Sequence, residues 1–375
     1  MKPNIDAVSQ ALSALNIRAL VAMSPENFIY LSGAYIETTY YLRPRQAFVV
    51  VRENGAPFVL ACTMEESQVI EESWIRDVRS YVEFVHDPVA RLAEELTASG
   101  LTEGRIGIDL DYLPAADFQR LCGLMPAVEF VNTTAAVADI RAVKLDGEVT
   151  RLEQAARQTH RAVLDAFEAS RLGDSEKAVA NRIGCNILQY GADNLQFLYF
   201  ASGSRTIHPH AYALEERIPK QGDIIRIDVG GKYGAYSSDF ARTYSAGAPT
   251  QAQRQIYSAL VTAEETTINA ARPGMTAEDL FHVCRDAFRA AGLVFHMPHV
   301  GHSFGVELHE NPMLRPGNKS VLKPGMVLNV EPGVRDDQGS LYHTEDLILI
   351  TETGSRVLTL GLAPKELPVL GQKVD

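Results

Sequence analysis

The chain has 375 residues, 46% hydrophobic and 22% charged, and 35 Lys and Arg against 47 Asp and Glu give a formal net charge of −12. That balance is globular and acidic, which excludes a disordered polymer and argues against a nucleic-acid backbone or an anionic membrane as partner, since both demand a basic face. At this length a single core stops growing, so two domains are expected. Cys62, Cys122, Cys185 and Cys284 are widely spaced, without the pairing of a zinc knuckle or disulfide framework, and are expected to be buried thiols in a reducing cytoplasm. The first thirty residues lack the apolar stretch of a signal peptide, and no apolar run approaches the length of a membrane helix. The N-x-S/T matches at Asn132 and Asn318 therefore have no secretory context.

In chain order, Val8, Leu12 and Leu15 mark an amphipathic opening, and short apolar runs at 19–23, 47–51, 58–62 and 106–110 predict strands alternating with helices. Near Lys144 the texture changes: residues 148–170 form a helix-competent run without Gly or Pro, and Asp174-Ser175 caps a second helix. Beyond about Gly203 strands and tight Gly turns are expected, interrupted by helices at roughly 250–271 and 276–291. The predicted organisation is an α/β N-terminal domain over 1–146 and a second domain over 147–375 with a curved, Gly-rich sheet.

Chemistry concentrates in three segments. GDIIRIDVG (222–230) followed by YSSDFART (236–243) predicts a hairpin in which Asp228 and Asp239 face each other across two strands. Carboxylates in a core-like strand are costly without a cation, so the pair points to a metal; the alternative is that they lie in exposed turns or pair with Arg226 or Arg242. PHVGHSFGVELHE (298–310) holds His299, His302 and His309. LKPGMVLNVEPG (322–333) and YHTEDLILI (342–350) place Glu331 and Glu345 at the end and start of apolar strands, with turn signals between them. Four such carboxylates and a histidine suit hard or borderline divalent ions, and two ions about 3.5 to 4 Å apart, holding a hydroxide, would use them all.

The order and spacing of these segments resemble the creatinase and methionine-aminopeptidase ("pita-bread") family, especially its Xaa-Pro dipeptidase and aminopeptidase P branch. NFIYLSG (27–33) resembles that branch's N-x-x-Y-L-[ST]-G and extends the likeness into the first domain. The resemblance implies a creatinase-like N-terminal domain and a pita-bread domain with a curved antiparallel sheet. It implies a homodimer hydrolysing Xaa-Pro dipeptides or short Xaa-Pro peptides with two divalent ions, manganese first, then cobalt, zinc or iron, and the cysteine usage and absent signal peptide place it in the cytoplasm. The family's ligands fall on Asp228, Asp239, His302, Glu331 and Glu345, its substrate-side histidines on His210 and His309, and Glu331 is the proton shuttle. Arg45, in YYLRPR (40–45), matches an arginine that reaches the substrate carboxylate, often from the partner subunit. Two departures concern substrate handling. His343 stands where prolidases often carry Arg, and His299 precedes the ligand histidine by three residues instead of four.

Other classes compete with this reading. A creatinase- or ectoine-hydrolase-like enzyme of a small carboxylate metabolite is the alternative, although those relatives have lost metal ligands. A non-catalytic binding module on the same fold is a second alternative and fits the complete ligand set less well. G-x-S-x-G at 301–305 satisfies the serine-hydrolase elbow, but Pro312 follows too soon for the helix that elbow requires. Gly230-Gly231-Lys232 lacks phosphate-loop spacing.

Overall fold

Apolar runs closed by polar or glycine turns become the inner strands of the first unit, 1–141, in a computed structural model that describes residues 2–374. The order is α1 (Ile5–Leu15), β1 (Ala19–Ala22), α2 (Pro25–Ser32), β2 (Phe48–Arg52), β3 (Phe58–Cys62), α3 (Glu66–Glu72), β4 (Asp77–Tyr81), α4 (Pro88–Ala98), β5 (Gly104–Ile108), α5 (Ala115–Leu124), β6 (Val128–Asn132) and α6 (Thr134–Ala142). They form a mixed six-stranded sheet, β4-β3-β2-β1-β5-β6, packed on a core that includes Phe48, Phe58, Tyr81 and Leu92. The NFIYLSG segment is α2, capped by Ser24 and ended by Gly33 in the left-handed region. Buried Asp109 accepts N–H bonds from Met23 (2.9 Å) and Ser24 (3.0 Å) and from the Asn27 amide (2.9 Å), fixing where that helix starts.

The second unit, 142–375, begins with α7 (Asp146–Glu168) and α8 (Glu176–Gln189). There follow β7 (Asn194–Ser202), β8 (Ile224–Tyr233), β9 (Tyr236–Ser237), β10 (Phe240–Ser245), α9 (Gln251–Ala270) and α10 (Ala277–Ala290). The chain continues through β11 (Gly301–Ser303), β12 (Glu310–Met313), β13 (Val327–Val330), β14 (Gly333–Arg335), β15 (Leu341–His343), β16 (Asp346–Ile350) and β17 (Ser355–Val357). Strands start earlier than expected: β7 precedes Gly203, its mixed NLQFLYFAS composition giving no clean alternation. Helices α9 and α10 begin at capping boxes, Thr250 with Gln253 and Thr276 with Asp279, which satisfy N–H groups that have no partner inside the helix. Their apolar faces pack on the β12-β11-β13-β16-β17 sheet, while α7 and α8 pack on β10-β8-β7. All strand pairings between these elements are antiparallel.

The register corrects one expectation. Asp228 lies opposite Ala241, not Asp239, because Tyr233 pairs with Tyr236 and the turn is the two-residue Gly234-Ala235. Moving the turn centre by one residue offsets the aspartates by two. Side chains alternate with period two, so both carboxylates stay on one face as diagonal neighbours. For the glutamates, Val330 pairs with Asp346 and Gly333 with His343, and the same register carried between them sets Glu331 opposite Glu345. The cysteine expectation also needs correction: Cys62 and Cys284 are buried, but Cys122 is half-buried and Cys185 lies exposed on α8.

Candidate metal centre

Each carboxylate is presented from a strand or its immediate end, where the backbone is held by neighbouring strands. Asp228 is mid-β8, Asp239 sits just before β10, Glu331 follows β13 and Glu345 precedes β16. His302 stands on β11, paired with Asn329 of β13. Gly301 makes that pairing possible: its φ is +151°, and a Cβ there would lie 2.0 Å from the carbonyl oxygen of Asn329. His302 Nε2 approaches Asp239 Oδ2 (3.5 Å) and Glu331 Oε1 (3.4 Å). His299 Nδ1 lies 3.2 Å from the same Glu331 oxygen. The His309 ring, exposed to the pocket, is centred 4.1 Å from that of His302, and His210 lies 4.9 Å from Tyr199. The four carboxylates, His299, His309, His210 and Tyr199 line one cavity of about 530 Å³.

Hydrogen-bond partners assign the imidazole tautomers. A carbonyl only accepts, so Nδ1 of His302, 3.0 Å from the Ser303 carbonyl, carries the proton and Nε2 offers its lone pair to the carboxylate cluster. His343 is the reverse. Arg226 only donates, and its guanidinium lies 2.9 Å from His343 Nδ1, so Nε2 carries the proton and points to the Glu331 carbonyl (3.2 Å) and Glu345 Oε1 (3.3 Å). His343, Asp228 and Glu345 are close enough to share an ion, as are Asp239, His302 and His309; in these tautomers His343 is a donor toward Glu345 and His302 offers a lone pair.

The electrostatics call for added positive charge. Burial, followed by mutual repulsion, pushes the carboxyls of Asp239 and Glu345 well above their ordinary range. Asp228 is also raised by burial, although Arg226 opposes the shift from 2.7 Å. Glu331 differs: burial raises it, but His302, His299 and His343 outweigh that and hold it at about 2. Burial and Arg226 pull His343 down to about 3, and burial with His302 lowers His309. Oxygen-rich, crowded and served directly by one arginine, the cluster fits divalent cations, and Glu331 Oε1 is buried without a formed hydrogen bond.

Several site residues carried no signal of their own. Asn329 donates to Glu345 Oε2 (3.2 Å), and Tyr199 walls the pocket, yet both read as ordinary strand residues. From the sequence Arg226 reads only as a competitor for the aspartates; in the fold it pairs with Asp228 and also orients His343. Arg242 instead pairs with Asp346 (2.7 Å) and donates to the Glu345 carbonyl, bracing that strand end. Arg45 belongs to the first unit and is bonded to Glu83 (3.1 and 2.7 Å) and Glu65 (2.7 Å). Ser303 accepts from Lys144 (3.2 Å), and turns, not a helix, follow β11.

A buried carboxylate cluster with imidazoles beside it, opening on a cavity, has the donor set of a metal-dependent hydrolase. Residues 150–352 match metallopeptidase family M24, and residues 4–143 match the creatinase/prolidase N-terminal domain. The chain belongs to metallopeptidase family M24 and is a metal-dependent peptidase with the pita-bread fold. An Xaa-Pro dipeptidase of Pyrococcus furiosus is 35% identical over 361 residues, covering 96% of this chain and 98% of the relative. One from Lactobacillus delbrueckii is 28% identical, covering 99% and 100%. Among solved structures, the X-Pro aminopeptidase of Thermotoga maritima superposes with a TM-score of 0.85 at 25% identity, covering 97% of this chain and 99% of that one. The Pyrococcus furiosus prolidase gives 0.81 at 28%, covering 95% and 100%.

Proposed function

We propose that the chain hydrolyses Xaa-Pro dipeptides as a cytoplasmic homodimer, using two divalent ions, manganese first, held by Asp228, Asp239, His302, Glu331 and Glu345. The observation that carries the substrate is the end-to-end similarity to an Xaa-Pro dipeptidase. Ions at these side chains would acidify water and polarise the peptide carbonyl. Glu331, ionised at neutral pH, is the base that takes the proton from the attacking water at Oε1 and returns it to the leaving proline nitrogen. His309, kept neutral by burial and its neighbour His302, and His210 donate N–H bonds to the developing oxyanion or the leaving group. His299 and His343 border the substrate, and Phe197, Leu308 and Leu341 give the proline ring an apolar wall. The test is a panel of Xaa-Pro dipeptides, Xaa-Ala dipeptides and N-acyl amino acids on chelated and manganese-reconstituted enzyme. Selective, metal-dependent cleavage of Xaa-Pro is expected; preference for an N-acyl amino acid would replace this reading with the metabolite hydrolase.

A further inference from the structure

Four residues beyond Glu331, at the end of β14, Arg335 lines the same pocket. Among the described residues its guanidinium has no ion-pair or hydrogen-bond partner, whereas Arg226 is tied to Asp228 and His343, and Arg45 is held by Glu65 and Glu83. The register continues from Val330 with Asp346, through Gly333 with His343, to Arg335 with Leu341, so β14 leads away from the carboxylate cluster toward this arginine. At about 3.3 Å per residue, the two Cα atoms of Glu331 and Arg335 are roughly 13 Å apart. Residues 331, 333 and 335 share a face by strand alternation, while Val334 between them packs in the hydrophobic core. Gly333 also lines the pocket and adds no side chain of its own between Glu331 and the guanidinium.

We infer that Arg335 receives the free C-terminal carboxylate of the substrate and thereby makes the enzyme a dipeptidase; this rests on the Xaa-Pro reading above. In a dipeptide the carboxylate carbon lies three bonds from the scissile carbonyl carbon, roughly 3 to 4 Å away from standard bond lengths. An unpartnered arginine reaching back along the strand meets it with a planar pair of donors. A longer peptide presents a neutral amide at the same place.

The experiment compares KM and kcat of manganese-loaded wild type, Arg335→Gln and Arg45→Ala on Ala-Pro, Ala-Pro-amide and Ala-Pro-Ala. Wild type should favour Ala-Pro. Arg335→Gln should raise KM for Ala-Pro roughly 10- to 100-fold, as expected for a lost charge-assisted bond, with kcat little changed and the amide unaffected. Arg45→Ala should leave the preference intact. An unchanged KM in Arg335→Gln, an equal loss on acid and amide, or a carboxylate-selective loss in Arg45→Ala instead would overturn the assignment while leaving Xaa-Pro hydrolysis standing. Wild type that cleaves none of the three would overturn the Xaa-Pro reading and this assignment with it.

Discussion

Replacing Lys144 by Met should cost the second unit a large share of its stability. Lys144 Nζ lies 2.7 Å from Glu310 Oε2, and both side chains are 1% exposed. The same ammonium donates to Ser303 Oγ, and Glu310 accepts the Glu307 N–H (3.1 Å), so the pair ties the residues just before α7 to β11, which carries His302, and to the start of β12, next to His309. Removing the cation takes away the ammonium that balances a buried carboxylate, and breaking such a pair from one side typically costs about 3 to 5 kcal/mol. For a unit of this size that corresponds to a fall in Tm of roughly 6 to 20 °C. Thermal unfolding followed by circular dichroism, supported by denaturant titration, reads it directly. Lys144→Met with Glu310→Gln should recover more than half the loss, since both charges of the pair are then removed together. A single variant within 1 kcal/mol of wild type on the scale of exposed pairs, or a double variant no better than the single, would refute this account of the pair.

Further outcomes follow from the same geometry. Gly301→Ala should cost several kcal/mol and abolish activity, because its Cβ would collide with the Asn329 carbonyl that seats β11; soluble, active protein with unchanged Tm would contradict this. His302→Gln should lose bound metal, whereas His343→Gln should retain it, as elemental analysis after gel filtration would reveal; metal loss in His343→Gln would reverse the two tautomers. His160 is buried against Phe240 and its pKa is lowered well below the ordinary 6.5 by burial, then Arg242. Its neutral form therefore contributes stability that is present above pH 6.5 and lost as pH falls below it, because the unfolded chain takes up a proton that the native one refuses. His160→Gln should flatten the decline of stability on that acid side, and an identical pH profile in the two proteins would count against it. Ser303→Ala should keep most activity, and loss by orders of magnitude with metal still bound would restore a serine nucleophile.

How much could be read from the sequence depended on whether the controlling contact was local. The inner strands β1, β2 and β3 are nearly continuous apolar runs between turn formers, so burial on both faces is written into composition, whereas inner strand β5 (GRIGI) opens on an exposed Gly104 and a half-buried Arg105. Edge strands β4 and β6 carry polar residues such as Asp77, Arg79 and Glu129 that suit solvent on one face and dilute the signal. The aspartates announced themselves as charges in a core-like strand, but their true offset hangs on whether the turn is Gly234-Ala235 or one residue earlier, which alternation cannot decide. Lys144 and Glu310 are 166 residues apart, and neither neighbourhood hints at the other. The role of Arg226 beside His343 is equally non-local, since it needs β8 and β15 in register with different partners. Arg335 had one usable clue, its even spacing from Glu331 along a strand, which only gains meaning once the pocket is seen.

The central claim is that these five side chains hold two catalytic ions. It is tested most directly by titrating manganese into chelated wild type and Asp239→Asn while following both bound metal and Ala-Pro hydrolysis. Wild-type activity should rise to a plateau as the second equivalent binds, while Asp239→Asn, with one carboxylate neutralised, should bind less metal and stay inactive. Full hydrolysis by the metal-free protein, or by Asp239→Asn, would contradict it.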